Sequence, residues 1–178
     1  MVREGSGIKT LADLKGKSVI LHDSPAINTA EAWFTMTLLK EGLGLPKYLV
    51  GSLTRNAKLS QVVLPLYFGQ ADVCVVTRLG FAAMVEMNPQ LARKLKVLLT
   101  SPSTVSAFFA CRRDFPAQFK KSLFDRLVNL QSHPSTSQLL TLFHSSGFSV
   151  RDATCLRTAL TILESYEKSR ETAAARPR

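Results

Sequence analysis

Residues 17–30 of the chain read KSVILHDSPAINTA, and this stretch decides the fold. The run from Ser18 to His22 is short, aliphatic and β-branched, which is typical of a strand buried on both faces. The polar segment 23–25 contains a proline and ends the strand, and a helix is predicted over 29–41. Backbone N–H groups are free at a helix N-terminus, where anions bind. The stretch therefore predicts a strand, an anion-binding loop and a helix.

The same alternation of strands and helices continues along the chain. Further strands are predicted over 48–51, 72–76, 96–100 and 106–111. Further helices are predicted over 57–68, 80–86, 116–130, 135–144 and 151–168. Alternation of this kind predicts an α/β fold in which a mainly parallel sheet is flanked by helices. The last three helices follow one another without strands, so they predict a helical tail at the C-terminus.

The composition is that of a globular domain. The chain has 178 residues, of which 46% are hydrophobic and 20% charged, and it is long enough to bury a sizeable core. Its longest apolar runs are far shorter than the roughly 20 residues that cross a bilayer. The three cysteines, Cys74, Cys111 and Cys155, are odd in number and lack metal-site spacing. No disulfide framework, metal or cofactor is therefore predicted.

The formal net charge of +10 indicates that the protein has an anionic binding partner. A basic excess is compatible with nucleic acid, an anionic surface or an anionic ligand. The basic clusters at 93–96, 112–113 and 120–121 are short and scattered, and they lack the interleaved aromatic residues of single-strand binding surfaces. We therefore predict an anionic ligand and no nucleic acid. None of the acidic, histidine or serine residues forms a known catalytic motif, so no enzymatic activity is predicted.

Small polar residues at the start of the first helix are the leading ligand candidates. Asn28 and Thr29 could hold an oxyanion together with the helix N–H groups, and the alternative role for this pair is a simple helix cap. His22 ends the first strand directly before this loop. It is either a donor to a ligand or, as is more common at a strand end, a packing residue.

The ends of the next two predicted strands add three candidates. Thr77 and Arg78 follow the strand over 72–76, and ligands of open α/β sheets bind beyond the carboxyl ends of strands. The Arg78 guanidinium offers a fork of donors suited to phosphate, sulfonate or carboxylate, and the alternative is a solvated arginine that begins a helix. Ser52 follows the strand over 48–51 and is a weaker candidate.

Several motifs together resemble a known family. They are IKTLADLKGKSV at 8–19, KLSQ at 58–61, GQADVCVVTR at 69–78, EMNPQL at 86–91 and SQLLTLF at 137–143. They are similar to the phosphate- and phosphonate-type solute-binding proteins of ABC transporters, which have the periplasmic binding protein type II fold. The resemblance covers residues 7–168. It implies a small phosphate- or phosphonate-like anion as ligand, with Asn28, Thr29, Ser52, Thr77 and Arg78 along the cleft.

The resemblance also implies an organisation. Family members consist of two α/β lobes that enclose the ligand, and they work in the periplasm with an ABC permease. Here the segment at 8–19 is preceded by only a few residues, and residues 1–15 carry no signal-peptide pattern. We therefore expect a second lobe over 7–112, a helical segment over 113–170 that normally packs on the first lobe, and a disordered tail over 171–178.

Two expectations follow from an unpaired lobe. Apolar helix faces that lack their usual partner favour self-association, so a homodimer or a domain-swapped dimer is predicted. The main alternative to solute transport is that the chain is a sensor or interaction module, or a degenerate fragment, built on a truncated binding-protein fold.

Overall fold

A mixed five-stranded sheet organises the chain in the computed structural model, which describes residues 1–23, 29–105, 108–132, 136, 138, 140 and 145–174. The chain divides into two compact units, one formed by 1–104 with 158–178 and the other by 105–157. The strands of the first unit are β1 Val2–Arg3, β2 Ser18–His22, β3 Ser52–Asn56, β4 Val73–Val75 and β5 Leu95–Lys96. Its helices are α1 Thr29–Lys40, α2 Pro46–Leu49, α3 Ser60–Phe68, α4 Arg78–Met87 and α5 Gln90–Lys94.

The strands of the sheet lie in the order β3-β2-β4-β1-β5. β2 pairs in parallel with β3 on one side and with β4 on the other. β1 is antiparallel to both β4 and β5, so four of the five strands run in the same direction. We use the name amino edge for the side of the sheet at which the parallel strands β2, β3 and β4 begin, and the name carboxyl edge for the opposite side, at which they end. The α/β architecture predicted from the sequence is confirmed.

Each face of the sheet buries its own apolar cluster, because successive side chains of a strand point to opposite faces. Val19 and Leu21 of β2 pack with Phe34 and Leu38 of α1 on one face. The other face carries Ile20 with Val62, Val63 and Leu66 of α3 and Leu91 of α5. Full burial of each such leucine or phenylalanine contributes about 1.5–3 kcal/mol, so β2 is held from both sides.

The regular elements described in the second unit are helices, and its described residues 108–116 and 145–152 lie outside them. It contains α6 at Ala117–Val128 and two 3₁₀ helices at Asn129–Ser132 and Ala153–Leu156. Phe119 and Leu123 lie on the apolar face predicted for α6, and their side chains are exposed. The predicted dimer, which rests on such faces, stays a prediction. The last helix, α7 at Arg157–Ala174, begins at the unit boundary and belongs almost entirely to the first unit.

Three predicted strands are wrong. The segment predicted as a strand over 48–51 contains the end of α2, which starts at Pro46, a residue favoured in the first helical turn, and the strand itself starts at Ser52. The strand predicted over 96–100 is reduced to Leu95–Lys96, because its partner β1 offers only two residues for pairing. Described residues 108–111, within the strand predicted over 106–111, have no regular structure.

The other predicted elements differ mainly at their ends. The strand over Ser18–His22 and the start of the first helix at Thr29 are confirmed. The helix predicted over 135–144 lies largely outside the described residues. The predicted tail over 171–178 has its first four residues in α7, and the others are not described. The predicted domain boundaries at 112 and 170 stay predictions.

Candidate functional site

The carboxyl edge brings together the ends of three strands and the starts of three helices. The ladder register places His22 opposite Asn56 of β3, and Leu21 opposite Val75 of β4. After these strands the chain enters α1, α3 and α4, whose first residues are Thr29, Ser60 and Arg78. The first N–H groups of a helix lack partners within the helix and carry a partial positive charge. This edge is therefore suited to an anion.

The start of α4 is capped from within. Thr77 has an extended backbone, and its side-chain oxygen accepts a hydrogen bond from the Gly80 N–H at 3.1 Å. The Thr77 carbonyl oxygen accepts the first helical hydrogen bond, from Phe81 N–H at 3.0 Å. The N–H groups of Arg78 and Leu79 remain directed beyond the helix end. The exposed Arg78 guanidinium has no hydrogen bond or ion pair with the described residues.

The starts of α3 and α4 lie side by side. A Cβ atom added to Gly80 would lie 2.9 Å from the Thr77 side-chain oxygen and 3.0 Å from a methyl carbon of Leu59, the residue before α3. Only a glycine allows this approach without a shift of either neighbour. The first turn of α4 therefore lies against the side chain of the residue that precedes α3.

His22 closes the connection between β3 and α3. Its side chain is buried, and its Nε2 atom lies 3.2 Å from the carbonyl oxygen of Ala57. The backbone N–H of Asp23 donates to the Asn56 carbonyl oxygen at 3.1 Å, and the Asn56 side chain accepts from the Lys58 N–H at 2.9 Å. These bonds turn the chain from β3 into α3. The second ring nitrogen of His22, Nδ1, is buried and has no partner in the described part of the chain.

An ion pair lies beside this edge. The guanidinium of Arg55 in β3 donates two hydrogen bonds to Glu31, in the first turn of α1, at 2.7 and 2.6 Å. These bonds lower the pKa of Glu31 and raise that of Arg55. Burial, and then the neighbouring Glu31 carboxylate, raise the pKa of the Tyr166 phenol on α7. The ion pair joins α1 and β3.

The structure places the predicted site residues at two opposite edges. Thr77 and Arg78 lie at the carboxyl edge, and Thr29 begins α1 at the same edge. Asn28 lies outside the described residues. Ser52 begins β3 opposite Ser18, at the amino edge, so the prediction that it follows the second strand is wrong. The cause is the misplaced strand, because a strand over 48–51 would have ended where β3 begins.

Because the strand predicted over 48–51 is misplaced, Lys58 is missing from the candidate site residues predicted from the sequence. This exposed residue follows the true end of β3 and therefore lies at the carboxyl edge. The sequence signal was the Asn56 and Lys58 pair, because an asparagine that accepts from the N–H two residues on is a common turn. Within the described ranges, no group of three or more His, Cys, Asp or Glu residues is placed to hold a metal ion. None of the described helices has the length and apolar character needed to cross a membrane.

One family model matches most of the chain. Residues 1–154 match a family model described as "ABC transporter, phosphonate, periplasmic substrate-binding protein". The chain belongs to this family. This membership confirms the family resemblance that the motifs at 58–61 and 69–78 indicate. No curated protein matches the chain.

Solved structures share the fold of this chain. The Xanthomonas citri protein XAC2383, solved with ATP and with a chloride ion, gives TM-scores of 0.70 and 0.69 at 17% and 19% identity, over 96% of this chain and 65% of that one. A binding protein component of an ABC phosphonate transporter from Pseudomonas aeruginosa gives 0.69 at 14% identity, over 94% of this chain and 56% of that one. This chain thus spans less than two thirds of their lengths.

Proposed function

We propose that this chain supplies one wall of a cleft that binds a small oxyanion of the phosphonate or phosphate class. The complete cleft would serve as the solute-binding component of an ABC importer, working in the periplasm with a membrane permease. Membership of a substrate-binding family supports this role and favours a chain without enzymatic activity. Thr77, Arg78 and Thr29 are the described candidates for the wall, and Asn28, which precedes Thr29 in the sequence, remains a candidate.

The observation that carries the proposal is the state of Arg78. A guanidinium that is exposed, unpaired within the described residues and placed at a helix N-terminus offers several donors to one anion. The Thr77 cap fixes the first turn of α4, so the free N–H groups beside Arg78 keep their direction. Lys58 at the same edge adds a second positive charge. The two positive charges and the helix N-terminus favour a negatively charged ligand.

Isothermal titration of the purified chain with methylphosphonate, phosphate, phosphite, sulfate and acetate tests the proposal. We expect measurable binding of at least one phosphorus oxyanion. Arg78→Ala should weaken it by roughly tenfold to a hundredfold, since hydrogen bonds to charged groups contribute about 1.5–3 kcal/mol.

The matched control is Arg93→Ala. Arg93 is also exposed, but it lies in α5 just before β5 begins, and so at the amino edge of the sheet. It should leave the affinity unchanged. Equal affinity of the wild type and Arg78→Ala would remove Arg78 from the site, and an equal loss in both arginine variants would reduce its role to general charge.

A further inference from the structure

The Nδ1 atom of His22 is a buried polar atom without a partner in the described part of the chain. The side chain is only 7% exposed, so bulk water does not satisfy this nitrogen. Buried polar groups are almost always hydrogen-bonded, and an exception in a native fold calls for an explanation such as a ligand. The atom lies at the carboxyl edge, where the proposed site is.

The other ring nitrogen fixes the chemistry of Nδ1. Nε2 lies 3.2 Å from the carbonyl oxygen of Ala57, and a carbonyl oxygen can only accept a hydrogen bond. Nε2 therefore carries the hydrogen, and in the neutral ring Nδ1 is an acceptor. Because Nε2 faces the connection that follows β3, Nδ1 is turned away from β3 and toward the middle of the edge.

The start of α4 lies on the same side of the sheet. His22 shares a strand face with Ile20, which packs in one cluster with Phe81 of α4. The β2–β4 ladder ends with the pair of Leu21 and Val75, one residue before His22 on one strand and two residues before Thr77 on the other, and Thr77 lies directly before α4. Adjacent strands are about 4.8 Å apart, which is within the width of one small anion. One ligand can therefore meet both the helix N-terminus and His22.

The two groups make opposite demands on that ligand. The α4 N–H groups and Arg78 only donate, so they need oxygen acceptors, whereas His22 Nδ1 needs a donor. We propose that His22 accepts a hydrogen bond from the P–O–H group of a monoprotonated phosphonate or phosphate bound at the start of α4. Sulfate has no such proton, so His22 selects against it. This inference rests on the proposed function and names the residue that sets its specificity.

Two amide substitutions separate the nitrogens. In His22→Gln, the amide N–H₂ group replaces Nε2 and can still donate to Ala57, while the Nδ1 acceptor is lost. In His22→Asn, the shorter amide places its oxygen where Nδ1 was, while the bond to Ala57 is lost. Thermal unfolding followed by circular dichroism verifies that both variants are folded before binding is measured.

The experiment titrates methylphosphonate, inorganic phosphate and sulfate into each protein at about pH 7, where a large fraction of the first two anions still carries a proton and free imidazole is mainly neutral. We expect the wild type to prefer methylphosphonate over sulfate by roughly tenfold or more, the size expected for one hydrogen bond to a charged ligand. His22→Gln should lose most of this preference, and His22→Asn should keep most of it.

The remaining outcomes overturn the inference in distinguishable ways. Equal binding of sulfate and methylphosphonate by the wild type overturns the role of His22 alone, as does an unchanged preference in His22→Gln. A preference lost equally in both variants assigns the effect to the Ala57 contact and overturns the acceptor role. A wild type that binds none of the three anions overturns the proposed function together with this inference.

Discussion

The two edges of the sheet differ in whether their polar side chains are hydrogen-bonded within the described chain. At the amino edge, the Asp72 carboxylate accepts hydrogen bonds from the Ser18 N–H at 2.9 Å and the Ser18 hydroxyl at 2.8 Å. The Ser18 hydroxyl oxygen in turn accepts from the Asp72 N–H at 3.0 Å. At the carboxyl edge, His22 Nδ1 has no partner in the described chain, and the Arg78 guanidinium is unpaired there.

This difference separates structural polar groups from groups that await a ligand. An unpaired buried group costs about 1–3 kcal/mol, so a fold keeps one only where something outside the chain compensates. The amino edge holds the strands in register without help. Changes there should alter stability and leave binding intact, and changes at the carboxyl edge should do the reverse.

The largest expected effect is at the amino edge, in Gly51→Ala. The added Cβ atom would lie 2.5 Å from the carbonyl oxygen of Gly16, and a backbone atom cannot turn aside as a side chain can. We expect the free energy of unfolding, measured by urea denaturation, to fall by about 1–3 kcal/mol. The affinity for methylphosphonate should stay within twofold of the wild type. Wild-type stability would show that the two connections separate without cost.

Asp72→Asn tests the same edge through pH. The pKa of Asp72 lies below its ordinary value of 3.8, mainly because its carboxylate accepts a hydrogen bond from the Ser18 backbone N–H. A depressed pKa in the folded state contributes stability above the unfolded value, and this stability is lost as pH falls through the folded value. The variant should lose about 1 kcal/mol at neutral pH, and its stability should fall less steeply in acid.

Urea denaturation at several acidic pH values measures this slope. The control is Asp125→Asn, because Asp125 is exposed on α6 and its carboxylate makes no hydrogen bond or ion pair within the described residues. It should keep the wild-type acid slope. Identical slopes in all three proteins would contradict a role for Asp72 in holding the amino edge.

The sequence predicts the interior strands of this fold better than its edge strands. β2 is aliphatic and buried on both faces, so its residues alone locate it, and the placement over Ser18–His22 is confirmed. β3 reads SLTRN, and most of its residues are exposed because it lies at the side of the sheet with a single partner strand. A polar strand of this kind is indistinguishable from a loop in the sequence, and the error moved Ser52 to the wrong edge.

The candidate site follows the same division. Thr77 and Arg78 were located correctly at the carboxyl edge because they follow the apolar strand β4, whose end the sequence marks. The sequence could not predict that His22 Nδ1 is unpaired within the described residues. Its state depends on the carbonyl oxygen of Ala57, which only the register between β2 and β3 brings close. Patterns along one strand do not contain that information.

Gly80→Ala carries the test of Gly51→Ala to the carboxyl edge. Here the added Cβ would meet the Thr77 side-chain oxygen at 2.9 Å, so the cap should rotate away. The lost cap costs about 1 kcal/mol, and the better helix propensity of alanine offsets most of it. Stability should therefore change little. The first turn of α4 loses its fixed direction, and the affinity for methylphosphonate should fall roughly fivefold, which corresponds to the same 1 kcal/mol.

Calorimetric titration and urea denaturation of the same samples compare the two glycine variants directly. The expected pattern is a crossed one, with stability lost in one variant and affinity in the other. If Gly80→Ala lost stability as Gly51→Ala does, the two edges would not differ in kind.

The Glu31 and Arg55 pair gives the smallest effect and the sharpest limit on the comparison. It lies at the carboxyl edge, yet its charges are paired by two hydrogen bonds. The side chains are 26% and 46% exposed, so water screens their attraction. A double-mutant cycle with Glu31→Gln and Arg55→Met should give a coupling of about 0.5 kcal/mol in the free energy of unfolding, decreasing in 1 M salt.

Weak coupling with an unchanged affinity for methylphosphonate would mean that the difference between the two edges comes from the unpaired groups. A side chain that is already paired within the chain is not available to a ligand. A coupling above about 2 kcal/mol that persists in salt would instead mean that α1 and β3 are held together by this pair beside the site, and that this edge too is organised for stability.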